Sequence, residues 1–189
     1  MTHKHYLSAN EFIEDSWRLA AQVRKSDWRP DWLVALWRGG APVGTAVHEF
    51  LCSTGWDLRH VPLKCASYSG IESNEGKVVF TLGDETLDLI GKGEKVLVVD
   101  DVFDTGKTAA AIKSRFDAAG VEMRLACVYW KPGKNMTDLK PDYFVRDVGN
   151  GWIVFPHEID GLSPAEVRAK NPILADLLDE LREAPAATR

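Results

Sequence analysis

The sequence has few cysteines, no surplus of basic charge and no long apolar run. Its three cysteines, Cys52, Cys65 and Cys127, are odd in number and far apart, a pattern that suits reduced thiols and offers no disulfide framework. No apolar stretch approaches the roughly 18 residues needed to cross a bilayer, and the N-terminal region lacks the core of a signal peptide. No membrane role is expected, and the compartment expected is the cytoplasm. Lys and Arg number 23 against 28 Asp and Glu, giving a net charge of −5 with neutral histidines. Such a chain lacks the positive field of a nucleic-acid binder, so no nucleic-acid partner is expected. The residues that are present, 45% hydrophobic and 27% charged over 189 positions, are those of an ordinary globular chain. No repeat, low-complexity tract or linker divides it, which predicts one domain over 1–189.

The periodicity predicts alternating helices and strands. Ser8-Ala9-Asn10-Glu11 is a capping-box pattern, and Phe12, Ile13, Trp17, Ala20 and Val23 continue it at helical spacing to Lys25. His3 and His5, before it, read as a disordered terminus. Trp32 to Trp37 is an apolar run of the length of a buried parallel strand, and core packing is expected for both Trp37 and Trp130. A helix from Pro42 to Leu51, a strand from Leu58 to Ala66, a polar loop from Ser67 to Gly76 and a strand from Lys77 to Leu82 follow. Lys95 to Val99 is the most strand-like segment, and Thr108 to Ala119 reads as a helix stopped by Gly120. Arg124 to Trp130 and Tyr143 to Val148 are further strands, and Ala165 to Glu183 is helical with an interruption at Pro172. This alternation predicts an α/β fold, a central parallel sheet flanked by helices.

One segment carries chemistry. Val96-Leu97-Val98-Val99 leads into Asp100-Asp101-Val102-Phe103-Asp104 and then Thr105-Gly106-Lys107-Thr108, which opens a helix. Ligands of open parallel sheets bind beyond the carboxyl ends of strands, where this segment lies. The turn offers backbone N–H groups, hydroxyls and a helix N-terminus to a phosphate. Ionised Asp accepts hydrogen bonds only, so the Asp100–Asp101 pair suits a vicinal diol or a magnesium ion. Phosphate, diol and metal together describe a sugar phosphate. Capping and the helix dipole explain one or two of the acids but not three. A Walker A loop is excluded because Asp101 stands where its first glycine belongs, and a dinucleotide fingerprint is excluded because Val96 stands where its third does. His48-Glu49 does not continue into a zinc motif, since Cys52 occupies the second histidine position, and His60 has no partner at ligand spacing.

The run from Val96 to Thr108 resembles the phosphoribosyl pyrophosphate signature of the type I phosphoribosyltransferases, and the likeness extends over about residues 32–158. Trp37-Arg38-Gly39-Gly40 is similar to that family's pyrophosphate loop, and Ser67-Tyr68 looks like the pair in the mobile hood of its 6-oxopurine members. Lys131, in Trp130-Lys131-Pro132-Gly133, resembles the lysine that donates to O6 of the base. Trp152-Ile153-Val154-Phe155-Pro156-His157-Glu158 resembles the aromatic segment whose first residue stacks on the purine. The resemblance implies a type I phosphoribosyltransferase fold with a core over about 30–160, a small hood and an added C-terminal helical extension over about 163–183. It implies transfer of the 5-phosphoribosyl group from phosphoribosyl pyrophosphate to hypoxanthine, guanine or xanthine, with magnesium as cofactor and a homodimer or homotetramer as assembly.

In that frame Asp104 is the acid/base, Asp100 and Asp101 hold ribose hydroxyls and magnesium, and Thr105, Gly106, Lys107 and Thr108 cradle the 5′-phosphate. Arg38, Gly39 and Gly40 take the pyrophosphate, Lys131, Trp152, Ile153 and Glu158 hold the base, and Ser67 to Gly76 form a lid. A fixed donor opposite O6 rejects adenine, whose amino group is itself a donor. The sequence departs from the pattern at His157, where relatives often carry Trp, and after Asp160. Two other outcomes stay open at this stage: a regulator of the same fold that senses phosphoribosyl pyrophosphate or nucleotides, and a transferase acting on adenine or a pyrimidine.

Overall fold

The structure, a computed structural model, describes residues 4–68, 77–82 and 84–183. In chain order the elements are β1 (Lys4–Tyr6), α1 (Ala9–Lys25), β2 (Trp32–Trp37), α2 (Gly40–Ser53), β3 (Arg59–Tyr68), β4 (Lys77–Leu82), α3 (Asp84–Leu87), β5 (Lys95–Phe103), α4 (Lys107–Ala119), β6 (Glu122–Trp130), β7 (Tyr143–Asp147), β8 (Trp152–Val154), α5 (Pro164–Lys170) and α6 (Pro172–Glu183). They group into two compact units, one spanning Asn10–Gly151, the other joining the described residues before Asn10 to those from Trp152 onward.

The larger unit is built on a six-stranded sheet in the order β4-β3-β2-β5-β6-β7, parallel throughout except for β4, which runs antiparallel to β3. This is the expected central parallel sheet flanked by helices. Both faces are covered, which is why β2 and β5 read as continuous apolar runs rather than as alternation. Val34, Leu36, Val96 and Val98 share a core cluster with Ala109, Ile112 and Phe116 of α4. The intervening residues face α2, where a Cβ on Gly44 would lie 2.5 Å from Ala35 Cβ and 3.4 Å from Leu33 Cδ2. Only glycine lets the helix approach that closely. Helix α4 ends where Gly120 adopts φ 70° and its N–H bonds the carbonyls of Phe116 and Asp117.

Near the carboxyl end of β5, Phe103 joins the same cluster as Val96 and Val98, and the pairing with β6 keeps one register from Asp100–Cys127 through Val102–Tyr129 to Phe103–Trp130. Carboxylates take up backbone donors there: Asp101 N–H donates to Asp100 Oδ1 (3.0 Å) and Val102 N–H to Asp101 Oδ1 (2.8 Å). The strand therefore runs through Phe103 instead of stopping at Val99, and Asp100 and Asp101 are strand residues rather than loop residues.

The smaller unit pairs β1 with β8 in parallel, Lys4 opposite Trp152 and Tyr6 opposite Val154. Helix α5 opens with a capping box in which Ser163 accepts from Glu166 N–H and Glu166 accepts from Ser163 N–H. Lys4 Nζ also donates to Glu166 (2.6 Å), so the N-terminal strand is fastened to the C-terminal helix. That lysine bond and the cap bonds hold the Glu166 carboxyl down at about 2. Pro172 ends α5 as expected, and the Asn171 side chain accepts from Leu174 N–H to start α6.

Several expectations change. His5 lies in β1, not in a disordered end; the strand is too short and too polar to signal itself, and its partner is far along the chain. Strand β3 continues through Tyr68, past the expected loop start at Ser67. Trp37 is 52% exposed, so core packing accounts for Trp130 but not for Trp37. His60, which has no partner at ligand spacing in the sequence, packs its ring 4.4 Å from that of His48, and the described residues form no metal-holding group there.

Candidate functional site

The carboxyl ends of β2, β5 and β6 in the larger unit bring together most of the residues singled out. At the end of β2, Arg38 is exposed and joined to Trp37 by a cis peptide bond. Gly39 and Gly40 then press against the acids of β5. A Cβ on Gly39 would sit 2.0 Å from Asp101 Oδ2, and one on Gly40 would sit 2.5 Å from Val99 O. The glycines thus let the expected pyrophosphate loop lie directly on the acidic pair.

Asp101 is 9% exposed. Burial pushes the Asp100 carboxyl well above the usual carboxylate range, and the negative charge of Asp101 pushes the same way. Two acids placed side by side at a strand end suit a cation. Among the described residues no cluster of three or more His, Cys, Asp or Glu could hold a metal by itself. This donor set fits magnesium, which takes one or two carboxylates and completes its shell with water and substrate oxygens.

After β5 the chain turns at Asp104-Thr105-Gly106 into α4. Gly106 has φ 78° and caps the helix without a side-chain bond, and the first turn of α4 holds no acid. Its leading N–H groups have no partner within the helix, and with the dipole they make an anion site. A Cβ on Gly106 would meet Thr137 Oγ1 at 2.4 Å and Asn135 Oδ1 at 2.7 Å, so the loop rests on the segment after β6. Met136 N–H donates to Thr105 O (3.0 Å) from that same segment. Thr105, Gly106 and Thr108 line a pocket together with Asp100, Asp104, Leu36 and Cys127, and burial pushes the Cys127 thiol up so that it stays protonated.

Lys131 is 6% exposed and reaches the same place from β6. Its N–H donates to Phe103 O (3.0 Å), which registers it against the end of β5, and its Nζ donates to Asp104 Oδ2 (3.2 Å). Lys134, one short turn later, stands 3.9 Å from the same oxygen. Sequence reasoning missed Lys134; its spacing of three from Lys131 across Pro132-Gly133 was the available signal. Asp104 Oδ1 is buried without a hydrogen-bond partner, an acceptor lacking its donor.

Trp152, Ile153 and Glu158 belong to the smaller unit. Trp152 is 53% exposed at the start of β8, and Ile153 is buried. Glu158 Oε2 accepts from Phe155 N–H (3.0 Å), so that oxygen closes its own turn. Residues 69–76 of the expected lid, and the side chains of Ser67 and Tyr68, lie outside the described residues.

Comparison with known proteins agrees with this geometry. The phosphoribosyl transferase domain family matches residues 3–160. The hypoxanthine-guanine phosphoribosyltransferase of Lactococcus lactis subsp. lactis (strain IL1403) is 26% identical over 153 residues, 80% of each chain. Among solved structures, a purine phosphoribosyltransferase from Pyrococcus horikoshii Ot3 is 28% identical with a TM-score of 0.67, covering 85% of this chain and 97% of its own. The xanthine-guanine-hypoxanthine phosphoribosyltransferase of Helicobacter pylori is 30% identical with a TM-score of 0.62, covering 84% of this chain and 96% of its own. With glycines laid on an acidic strand end, and an anion-binding turn beside a buried lysine and its aspartate, the chain belongs to the type I phosphoribosyltransferase family.

Proposed function

We propose that this protein transfers the 5-phosphoribosyl group from phosphoribosyl pyrophosphate to a 6-oxopurine, releasing pyrophosphate and a nucleoside monophosphate. The observation that carries the choice of base is Lys131, a buried ammonium held beside Asp104 at the end of β5. An ammonium only donates, so it matches the O6 acceptor of hypoxanthine, guanine or xanthine and opposes the 6-amino group of adenine.

In this reading the bond from C1′ to the pyrophosphate oxygen breaks as the bond from C1′ to a purine nitrogen forms. Positive charge develops at the sugar carbon, and the purine must lose a proton. Asp104 takes that proton, its unpartnered Oδ1 being the free acceptor. The N–H groups of the Thr105-to-Thr108 turn hold the 5′-phosphate, and Arg38 with the backbone of Gly39 and Gly40 holds the departing pyrophosphate. Asp100 and Asp101 would hold the ribose hydroxyls and magnesium, which when bound would neutralise phosphate charge. Trp152 stacks on the base and Ile153 flanks it. Ser67 to Gly76 close over the site, because water would otherwise hydrolyse the activated sugar. A cytoplasmic purine-salvage role follows from the substrates, and no described helix is long and apolar enough to cross a membrane.

The test is nucleotide formation from phosphoribosyl pyrophosphate and magnesium with hypoxanthine, guanine, xanthine, adenine and orotate offered separately. Product with one or more 6-oxopurines, and none with adenine or orotate, is the expected result. Product with adenine or orotate alone would overturn the reading of Lys131. Binding of phosphoribosyl pyrophosphate without turnover of any base would make the protein a regulator of the same fold.

A further inference from the structure

The segment that begins at Trp152 is held at its far end by a residue from the C-terminal extension. Phe155 N–H donates to Glu158 Oε2 (3.0 Å) and Glu158 N–H donates to Phe155 O (3.0 Å), closing the turn Phe155-Pro156-His157-Glu158 on itself. Phe155 is buried, and its ring stacks on His157 with centroids 5.6 Å apart and planes 18° from parallel. Lys170, the last residue of α5, reaches back over this turn. Its Nζ donates to Phe155 O (2.6 Å) and also to Glu158 O.

A lysine at a helix C-terminus ordinarily serves that helix's own last carbonyls and its dipole. Lys170 instead places its donors on carbonyls 15 and 12 residues earlier in the chain. Burial draws its pKa below the ordinary lysine value, only partly restored by the charge of Glu158, so a partly dehydrated ammonium is kept there by these acceptors. The same helix is fixed at its other end by Glu166, which binds Lys4 on β1, the strand that pairs with β8. The stretch from Trp152 to Glu158 is therefore clamped on one side by β1 and at its end by Lys170.

We propose that Lys170 is a positioning residue for base recognition: its ammonium fixes the Phe155–Glu158 turn and through it the setting of Trp152 and Ile153 against the purine. The proposal rests on the reading above that this segment holds the base. It gives α5 of the C-terminal extension a role in recognising the acceptor rather than in holding the sugar phosphate.

The test compares full-length wild type with Lys170→Met and Lys170→Arg, measuring kcat, KM for the purine, KM for phosphoribosyl pyrophosphate, and the melting temperature. Lys170→Met is expected to raise the purine KM by roughly tenfold or more while the phosphoribosyl pyrophosphate KM stays within about twofold, since misplacement of a positioned group weakens only what it positions. Lys170→Arg keeps cationic donors and is expected to recover most of the loss. If Lys170→Met does not fold, Lys170→Gln, which keeps one amide donor group, carries the same comparison. An unchanged purine KM, or both KM values rising together with a lower melting temperature, overturns the positioning role. A wild type that turns over no purine sinks the activity reading itself, a result separate from an active wild type whose purine KM ignores residue 170.

Discussion

Lys131 Nζ stands 3.2 Å from Asp104 Oδ2 while the other Asp104 oxygen is buried without a partner. In the proposed reaction the group that would read the base and the group that would take its proton form one ion pair, set by adjoining strands through the Lys131 N–H to Phe103 O bond. Replacing Asp104 by Asn keeps the shape but removes the proton acceptor. Asp104→Asn is expected to lower kcat by about 10² to 10⁴, the usual size of acid/base assistance, with little change in the KM for phosphoribosyl pyrophosphate. Steady-state kinetics with a saturating 6-oxopurine measures it, and near-full turnover would remove Asp104 from the role.

Lys131→Met tests the other half of the pair. A hydrogen bond from a charged donor is worth about 1.5–3 kcal/mol, so kcat/KM for a 6-oxopurine should fall by roughly 10- to 100-fold. Adenine, which gains nothing from a donor at that place, should react no worse than before. A loss confined to kcat, with the purine KM unchanged, would mean that Lys131 serves Asp104 and does not touch the base.

The two glycines after β2 separate a contact with a side chain from a contact with backbone. At Gly39 a new Cβ would collide with the Asp101 carboxylate, which can swing away, whereas at Gly40 it would meet Val99 O and Asp100 Cα. Gly39→Ala should therefore fold but bind phosphoribosyl pyrophosphate more weakly, because Asp101 is displaced. Gly40→Ala should also lose about 1–3 kcal/mol of stability, the usual cost of overpacking a tight site. Urea unfolding together with KM measurements distinguishes them, and equal stability losses in the two variants would sink the distinction.

What the sequence made legible was local. The apolar run of β2 matches its predicted bounds from Trp32 to Trp37, and Gly120 stops α4 where expected, because a run length or a positive-φ position is written in adjacent residues. The acids and the Thr105-to-Thr108 turn were legible because a strand end, a glycine and a helix start follow one another directly. What was missed depends on distant partners. The place of β1 is set by pairing with β8, and the ring contact of His60 with His48 joins two separate elements. Trp37 closes an apolar run, yet the sheet leaves it exposed, and nothing in the run marks its last residue as different.

The buried Asp15 gives stability a pH signature. It is fully buried and accepts from Arg18 Nη1 (2.5 Å), from Arg146 Nε (2.7 Å) and Nη2 (3.0 Å), and from Tyr129 OH (3.1 Å), joining α1 to β6 and β7. Burial alone would raise its pKa, but the bonds from Arg146, Arg18 and Tyr129 outweigh that and the net direction is down. A carboxyl lowered on folding stabilises the native state above its unfolded value of about 3.9, and that contribution disappears as pH falls through the folded value. Asp15→Asn leaves Arg146 able to rehydrate, so its cost near neutrality is about 1–3 kcal/mol, the range for losing hydrogen bonds to a charged group. Urea unfolding of wild type and Asp15→Asn should show this difference in full at neutral pH, and the difference should narrow as pH drops below the unfolded carboxylate value. A gap that stays constant into acid would mean that the charge of Asp15 contributes nothing and that only its shape matters.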